Sequence, residues 1–134
     1  MWKEFISSIG FGNVVVDTKV KKKQYDVGDT VSGIVEIKGG IVEQEIKAVV
    51  LTLFVQYEQD KEDSDFSYHQ KELKEIVLTD VDHIQSNEKI TIPFSIDIPM
   101  DHLKTKPGVE TILRTKLLVE HGVDPTDEDT LIIV

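Results

Sequence analysis

The chain has 134 residues, among them no cysteine, and its 25 acidic and 15 basic side chains leave a net charge of −10. That length suits one domain and buries a core without disulfide or metal, and the missing cysteine excludes both a disulfide framework and thiolate chemistry. The negative field repels nucleic acid and anionic lipid at long range.

The opening Met1-Trp2-Lys3-Glu4-Phe5-Ile6 does not read as a secretory signal, because an acid comes early and no apolar core follows. No stretch approaches the roughly 18 apolar residues of a membrane helix. Together with the absence of cysteine, this predicts a cytoplasmic protein. Trp2, Phe5, Ile6 and Ile9 fall at i, i+3, i+4 and i+7, the spacing of one helical face. Gly10 and Gly12 end that segment. A helix so short is marginal alone, so its apolar face needs something to dock on. Its polar face offers only Lys3, beside Glu4, which suits a membrane surface poorly. The outer face of the long apolar segment 45–58 is the predicted dock.

From Asn13 the period becomes two. Val14, Val16, Thr18 and Val20 alternate with polar residues as in a half-buried strand. Tyr25 to Asp29 reads as a turn. Val31, Gly33, Val35 and Ile37 give the inward side of a second strand, and Gly39-Gly40 the next turn. Residues 45–58 are β-branched and aromatic, and Ala48 to Val55 are apolar on both faces, as in a central strand. Glu58, Asp60, Glu62, Asp63 and Asp65 lie in an acidic loop. Residues 67–84 return as a more polar strand. After a turn at 86–89, Ile90, Ile92, Phe94, Ile96 and Ile98 alternate, and Pro93 inside this run demotes it to an edge strand or a strand with a bulge. A strand over 110–121, an acidic turn over 123–129 and a last strand from Leu131 complete the pattern. Seven strands joined by turn signals predict an all-β, antiparallel immunoglobulin-like sandwich. Residues 1–12 would be its helix and glycine turn, and residues 13–134 the sandwich. The apolar end, Leu131 to Val134, predicts a buried strand in a chain that continues, or a strand that pairs with a second copy.

Several segments occur in a telling order: Val16-Asp17-Thr18, Val27-Gly28-Asp29-Thr30-Val31-Ser32-Gly33, Gly39-Gly40, Gln44-Glu45-Ile46, and Gly122-Val123-Asp124-Pro125-Thr126-Asp127-Glu128-Asp129. Together they resemble the N-terminal half of the bacterial sporulation-control family known as stage-zero protein M. Val27 stands where that family usually has Pro. The resemblance implies an arrestin-like fold of two tandem sandwich lobes, of which this would be the first. It also implies a regulator that acts through protein contacts and has no catalytic residues.

Nothing in the residues themselves points to catalysis. There is no Gly-x-Ser-x-Gly elbow, and Ser32, Ser67 and Ser95 lie in strand patterns. His69, His83, His102 and His121 lack metal-ligand spacing and read as surface or turn residues. The Asp124, Asp127, Glu128, Asp129 cluster invites calcium, but its spacing is not that of an EF-hand, and side chains satisfying backbone N–H groups explain it better. No cofactor or metal is therefore expected. Gly28, Gly33, Gly39, Gly40, Asp124, Asp127 and Asp129 are assigned to structural turns. Lys19, Lys21 and Lys23 form the one basic run, placed by alternation on the polar face of the first strand. They are either a partner-binding face or a guard against edge aggregation. The function these features favour is a non-catalytic adaptor that binds other proteins, with the first strand as receptor edge. The alternative is a calcium- or carbohydrate-binding sandwich module.

Overall fold

A computed structural model describes residues 13–60 and 66–134. The expected helix over 2–9 and the middle of the acidic loop lie outside the described residues. Among the described residues there are nine strands: β1 (Val15–Val20), β2 (Gln24–Tyr25), β3 (Thr30–Lys38), β4 (Gln44–Asp60), β5 (Phe66–Leu78), β6 (His83–Ile84), β7 (Lys89–Asp97), β8 (Val109–Val119) and β9 (Thr126–Ile133). They form two sheets. One runs β1-β3-β7; the other runs β2-β9-β8-β4-β5, with β6 paired to the start of β4.

Period-two alternation explains the packing. Val14, Val16 and Thr18 of the first segment, and Val31, Val35 and Ile37 of β3, are buried. Ile92, Phe94 and Ile96 of β7 complete that sheet's inward face. Val49, Leu51 and Leu53 of β4 and Leu113 and Leu117 of β8, all fully buried, face them from the second sheet. Burying such a side chain contributes about 1.5–3 kcal/mol. β4 is central, flanked by β5 and β8 in antiparallel register, and its Val49, Leu51 and Leu53 belong to the core between the sheets. β7 is an outer strand, as Pro93 requires, since proline has no N–H to give a second neighbour.

Three boundaries differ from the sequence reading. Tyr25 is not a turn residue: its ring is buried, and it sits in β2, parallel to the end of β9. The Ile132 and Val134 N–H groups donate to the Lys23 and Tyr25 carbonyls at 2.8 and 2.9 Å. The 67–84 segment breaks after Leu78, and His83–Ile84 pairs separately with Gln44 and Glu45. Two-residue strands are too short to show a period. Finally, β9 starts at Thr126, so Asp127 and Asp129 lie in a strand rather than a turn. Its inward positions are Asp127, Asp129, Leu131 and Ile133. The first two are carboxylates, so hydrophobic alternation reveals only the second half.

Candidate interaction surface at the sheet edges

A partner can reach this fold by adding a strand to an edge, so the state of each edge matters. β1 is the outer strand of the small sheet. The Lys21 N–H donates to the Ser32 carbonyl of β3 at 3.0 Å. By alternation, the even residues of β1 then turn their N–H groups to the open side. There the Thr18 N–H donates to Asp127 Oδ2 of β9 at 2.8 Å. The Thr18 hydroxyl meets the Thr115 hydroxyl in the buried space between the sheets. The seam between β1 and β9 is thus latched by one carboxylate. An added strand would have to break that bond and strand a half-buried charge. The expectation that β1 is the receptor edge gives way to a capped edge.

Asp127 is costly to keep charged there. Burial pushes its carboxyl up to about 6, and the neighbouring Asp129 and Asp17 charges push the same way, while the Thr18 N–H opposes them. Asp129 is raised as well, first by burial, with Lys23 counteracting. Inward-pointing carboxylates on an outer strand half are a known guard against edge pairing.

The lysines do not share one strand face. β1 ends at Val20, so only Lys19 lies in it; Lys21 and Lys23 belong to the connection to β2. Lys19 Nζ pairs with Glu36 Oε2 at 3.1 Å, and Lys89 reaches the same oxygen at 3.6 Å. Those hydrogen bonds and charges hold the Glu36 carboxyl below its usual range. Lys22, not singled out for this, lies 5.1 Å over the Tyr25 ring.

The assigned turn residues divide. Gly28 has φ 83°, which a β-carbon disfavours, and its N–H donates to the Ile98 carbonyl at 2.9 Å. Gly39 donates to the Glu88 carbonyl and Gly40 accepts from Asn87. Asp124 Oδ1 accepts from the Val119 N–H at 2.9 Å. Gly33, by contrast, is in mid-β3, where a β-carbon would collide with the Lys19 carbonyl oxygen.

Each described histidine has its own surroundings. His83 Nε2 is 2.9 Å from Glu43 Oε2, and the His69 ring stacks on Tyr57 with centroids 5.5 Å apart. The His121 carbonyl accepts from Gln44 Nε2 at 2.8 Å. His102 differs from the sequence expectation: it is buried, with Nδ1 2.7 Å from the Leu103 carbonyl. Among the described residues no group of three or more His, Asp or Glu is placed to hold a metal ion.

Two edges remain. β7 carries Pro93. β5 is the outer strand of the larger sheet and is 13 residues long. Its pairing with β4 jumps from Leu53↔Lys74 to Phe54↔Glu72, which leaves Leu73 as a bulge. Beyond the bulge, Lys74 to Leu78 pair regularly. Ile76 and Leu78 lean on the core, and Val77 is 54% exposed. Sequence reasoning noticed this strand's polarity and missed its edge position. The signal available was the apolar triplet Ile76-Val77-Leu78 closing a polar strand.

The family model for the SpoOM protein matches residues 2–134. This chain belongs to the Spo0M family. The sporulation-control protein spo0M of Bacillus subtilis (strain 168) is 31% identical over 134 aligned positions, covering 98% of this chain and 51% of that protein. The crystal structure of Spo0M, sporulation control protein, from Bacillus subtilis superposes with a TM-score of 0.85 at 30% identity. It covers 92% of this chain and 50% of that one. The chain therefore spans about half the length of the Spo0M proteins it matches. The ordered segments from Val16 to Asp129 reflect a true Spo0M relationship, and the all-β, mainly antiparallel sandwich is shared with a solved Spo0M structure.

Proposed function

We propose that this domain is a non-catalytic adaptor in the control of bacterial sporulation, working in the cytoplasm by binding other proteins. Membership of the Spo0M family supports the process. The observation that carries the mechanism is the unpaired edge of β5. Among the described outer strands, β1 is latched by Asp127, β2 is only two residues long and β7 is interrupted by Pro93. β5 is neither latched nor interrupted by proline, runs regularly from Lys74 to Leu78, and carries an exposed apolar side chain, Val77. A partner strand gains backbone hydrogen bonds from the edge and apolar contact from Val77. An arrestin-like second lobe, as the family resemblance implies, would give that partner a further surface.

The test is capture of partners from sporulating cells. Val77→Lys places a charge on the edge at a position exposed enough to spare folding. Capture by the parent protein, lost with Val77→Lys and retained when Lys19, Lys21 and Lys23 are all changed to Glu, is the expected result. Equal capture by parent and Val77→Lys would remove β5 from the proposal. Capture by none of the three would remove the adaptor reading.

A further inference from the structure

The open edge of β5 carries a pattern that a partner strand must answer. The Glu58 N–H donates to the Gly108 carbonyl on the β8 side at 2.9 Å. By alternation the even residues of β4 turn their backbone groups toward β8, and Val49, Leu51 and Leu53 turn theirs toward β5. Their partners Leu78, Ile76 and Lys74 therefore spend their N–H and carbonyl groups on β4, while Glu75 and Val77 turn theirs to the open side. Side chains follow the same alternation. Ile76 and Leu78 lean on the core, and Glu75 and Val77 stand on the outer face. The Leu73 bulge breaks the register below Lys74, so the regular run open to a partner is Lys74 to Leu78.

Two charges in that run are unanswered. Lys74 and Glu75 are exposed. On β4 they face Leu53 and Thr52. Arg114, the next residue across the sheet from Thr52, is held by Glu128 at 2.7 Å. Among the described residues neither Lys74 nor Glu75 has an ion pair. Opposite charges directly across an antiparallel pair stabilise it, and like charges oppose it. A second copy of β5 is therefore a poor occupant. Two-fold registers that match the open groups over several residues set Glu75 against Glu72 or a second Glu75, set Lys74 against Lys71, or leave Glu75 facing Val77.

We propose that β5 pairs antiparallel with a strand of another protein whose residues opposite Leu78, Val77, Ile76, Glu75 and Lys74 are, in that order, apolar, apolar, apolar, basic and acidic. The two inward apolar residues extend the core past Leu78 and Ile76, and the outward one covers Val77, which is 54% exposed. The basic and acidic residues answer Glu75 and Lys74. Antiparallel pairing continues the ladders of β9, β8, β4 and β5 and is the more stable per residue. This inference rests on the adaptor reading and names the chemistry of its partner.

The probe is a capped peptide, Thr-Val-Val-Ile-Arg-Glu-Thr, titrated to millimolar concentration into the 134-residue chain, with amide exchange followed by NMR. The Glu75 and Val77 N–H groups are expected to exchange quickly in the free protein and to become protected on binding. The Ile76 and Leu78 N–H groups should be protected throughout by β4. Glu75→Lys, at an exposed position, should weaken this peptide roughly three- to tenfold, and changing the peptide's Arg to Glu should restore binding to that variant. No protection at Glu75 and Val77 would overturn the proposal. Equal affinity of parent and Glu75→Lys, or of the peptide and its reversed sequence, would do the same. Such a failure, with capture from sporulating cells still lost on Val77→Lys, would leave the adaptor reading standing with a partner of other chemistry. Protection at Glu75 and Val77 without any capture from cells would uphold the strand chemistry and remove the adaptor reading.

Discussion

Replacing Gly33 by Ala is expected to lower stability by about 2–4 kcal/mol, measured as a shift of the urea midpoint. Gly33 pairs with Val20 at the end of β1, and a β-carbon there would collide with the Lys19 carbonyl oxygen, with the Val20 Cα also 3.0 Å away. Both are backbone atoms, so no side chain can swing aside. Relief requires separating β1 from β3, which also strains the Thr18–Asp127 bond. Gly122 gives the contrast. Its φ is 93°, but a β-carbon there meets nothing within 4 Å. Gly122→Ala should then cost only the backbone strain, about 1 kcal/mol. Equal losses at the two positions would show that the β1–β3 approach yields easily.

Asp127→Asn is expected to stabilise the protein near pH 7.5 by about 1–2 kcal/mol. Asp127 titrates at about 6 in the fold, against 3.8 for the free side chain. A carboxyl with a raised pKa binds its proton more tightly folded than unfolded. Its stability contribution is full below about pH 4, falls as pH rises through 6, and is absent above. The whole shift would correspond to about 3 kcal/mol, reduced here because solvent reaches part of the group. Asparagine keeps an oxygen for the Thr18 N–H and removes the charge that burial, Asp129 and Asp17 oppose. The gain over the parent should shrink toward zero as pH approaches 4, which chemical unfolding at several pH values would check. A gain independent of pH would mean that the carboxylate is not the cause. Lys23, which offsets Asp129, should be left intact in that comparison.

Much of the fold was legible because two-sided chemistry writes itself into alternation. β1, β3 and β7 each place apolar residues at every second position, and each emerged with the expected inward face. Pro93 announced an outer strand through its missing N–H. The ordered set of turns and strands carried the family. The interaction surface was less legible. Thr18 at an inward position was a hint, since a polar residue among inward valines needs a partner, but that partner is 109 residues away. The lysine run looked continuous in sequence; the strand stops at Val20 and scatters it. His102 carries no sequence mark of burial, since it stands outside any strand whose alternation would show an inward position.

The sequence by itself determined the strands long enough to show a period, their inward faces, most of the turns and the Spo0M family, because each depends on residues close together or on their order. Which edges are open was decided only by the tertiary structure. Edge status follows from what packs beside a strand: a carboxylate of β9 closes β1, β2 covers the end of β9, and nothing described closes β5. Those neighbours meet through folding across the whole chain, and no local pattern records them.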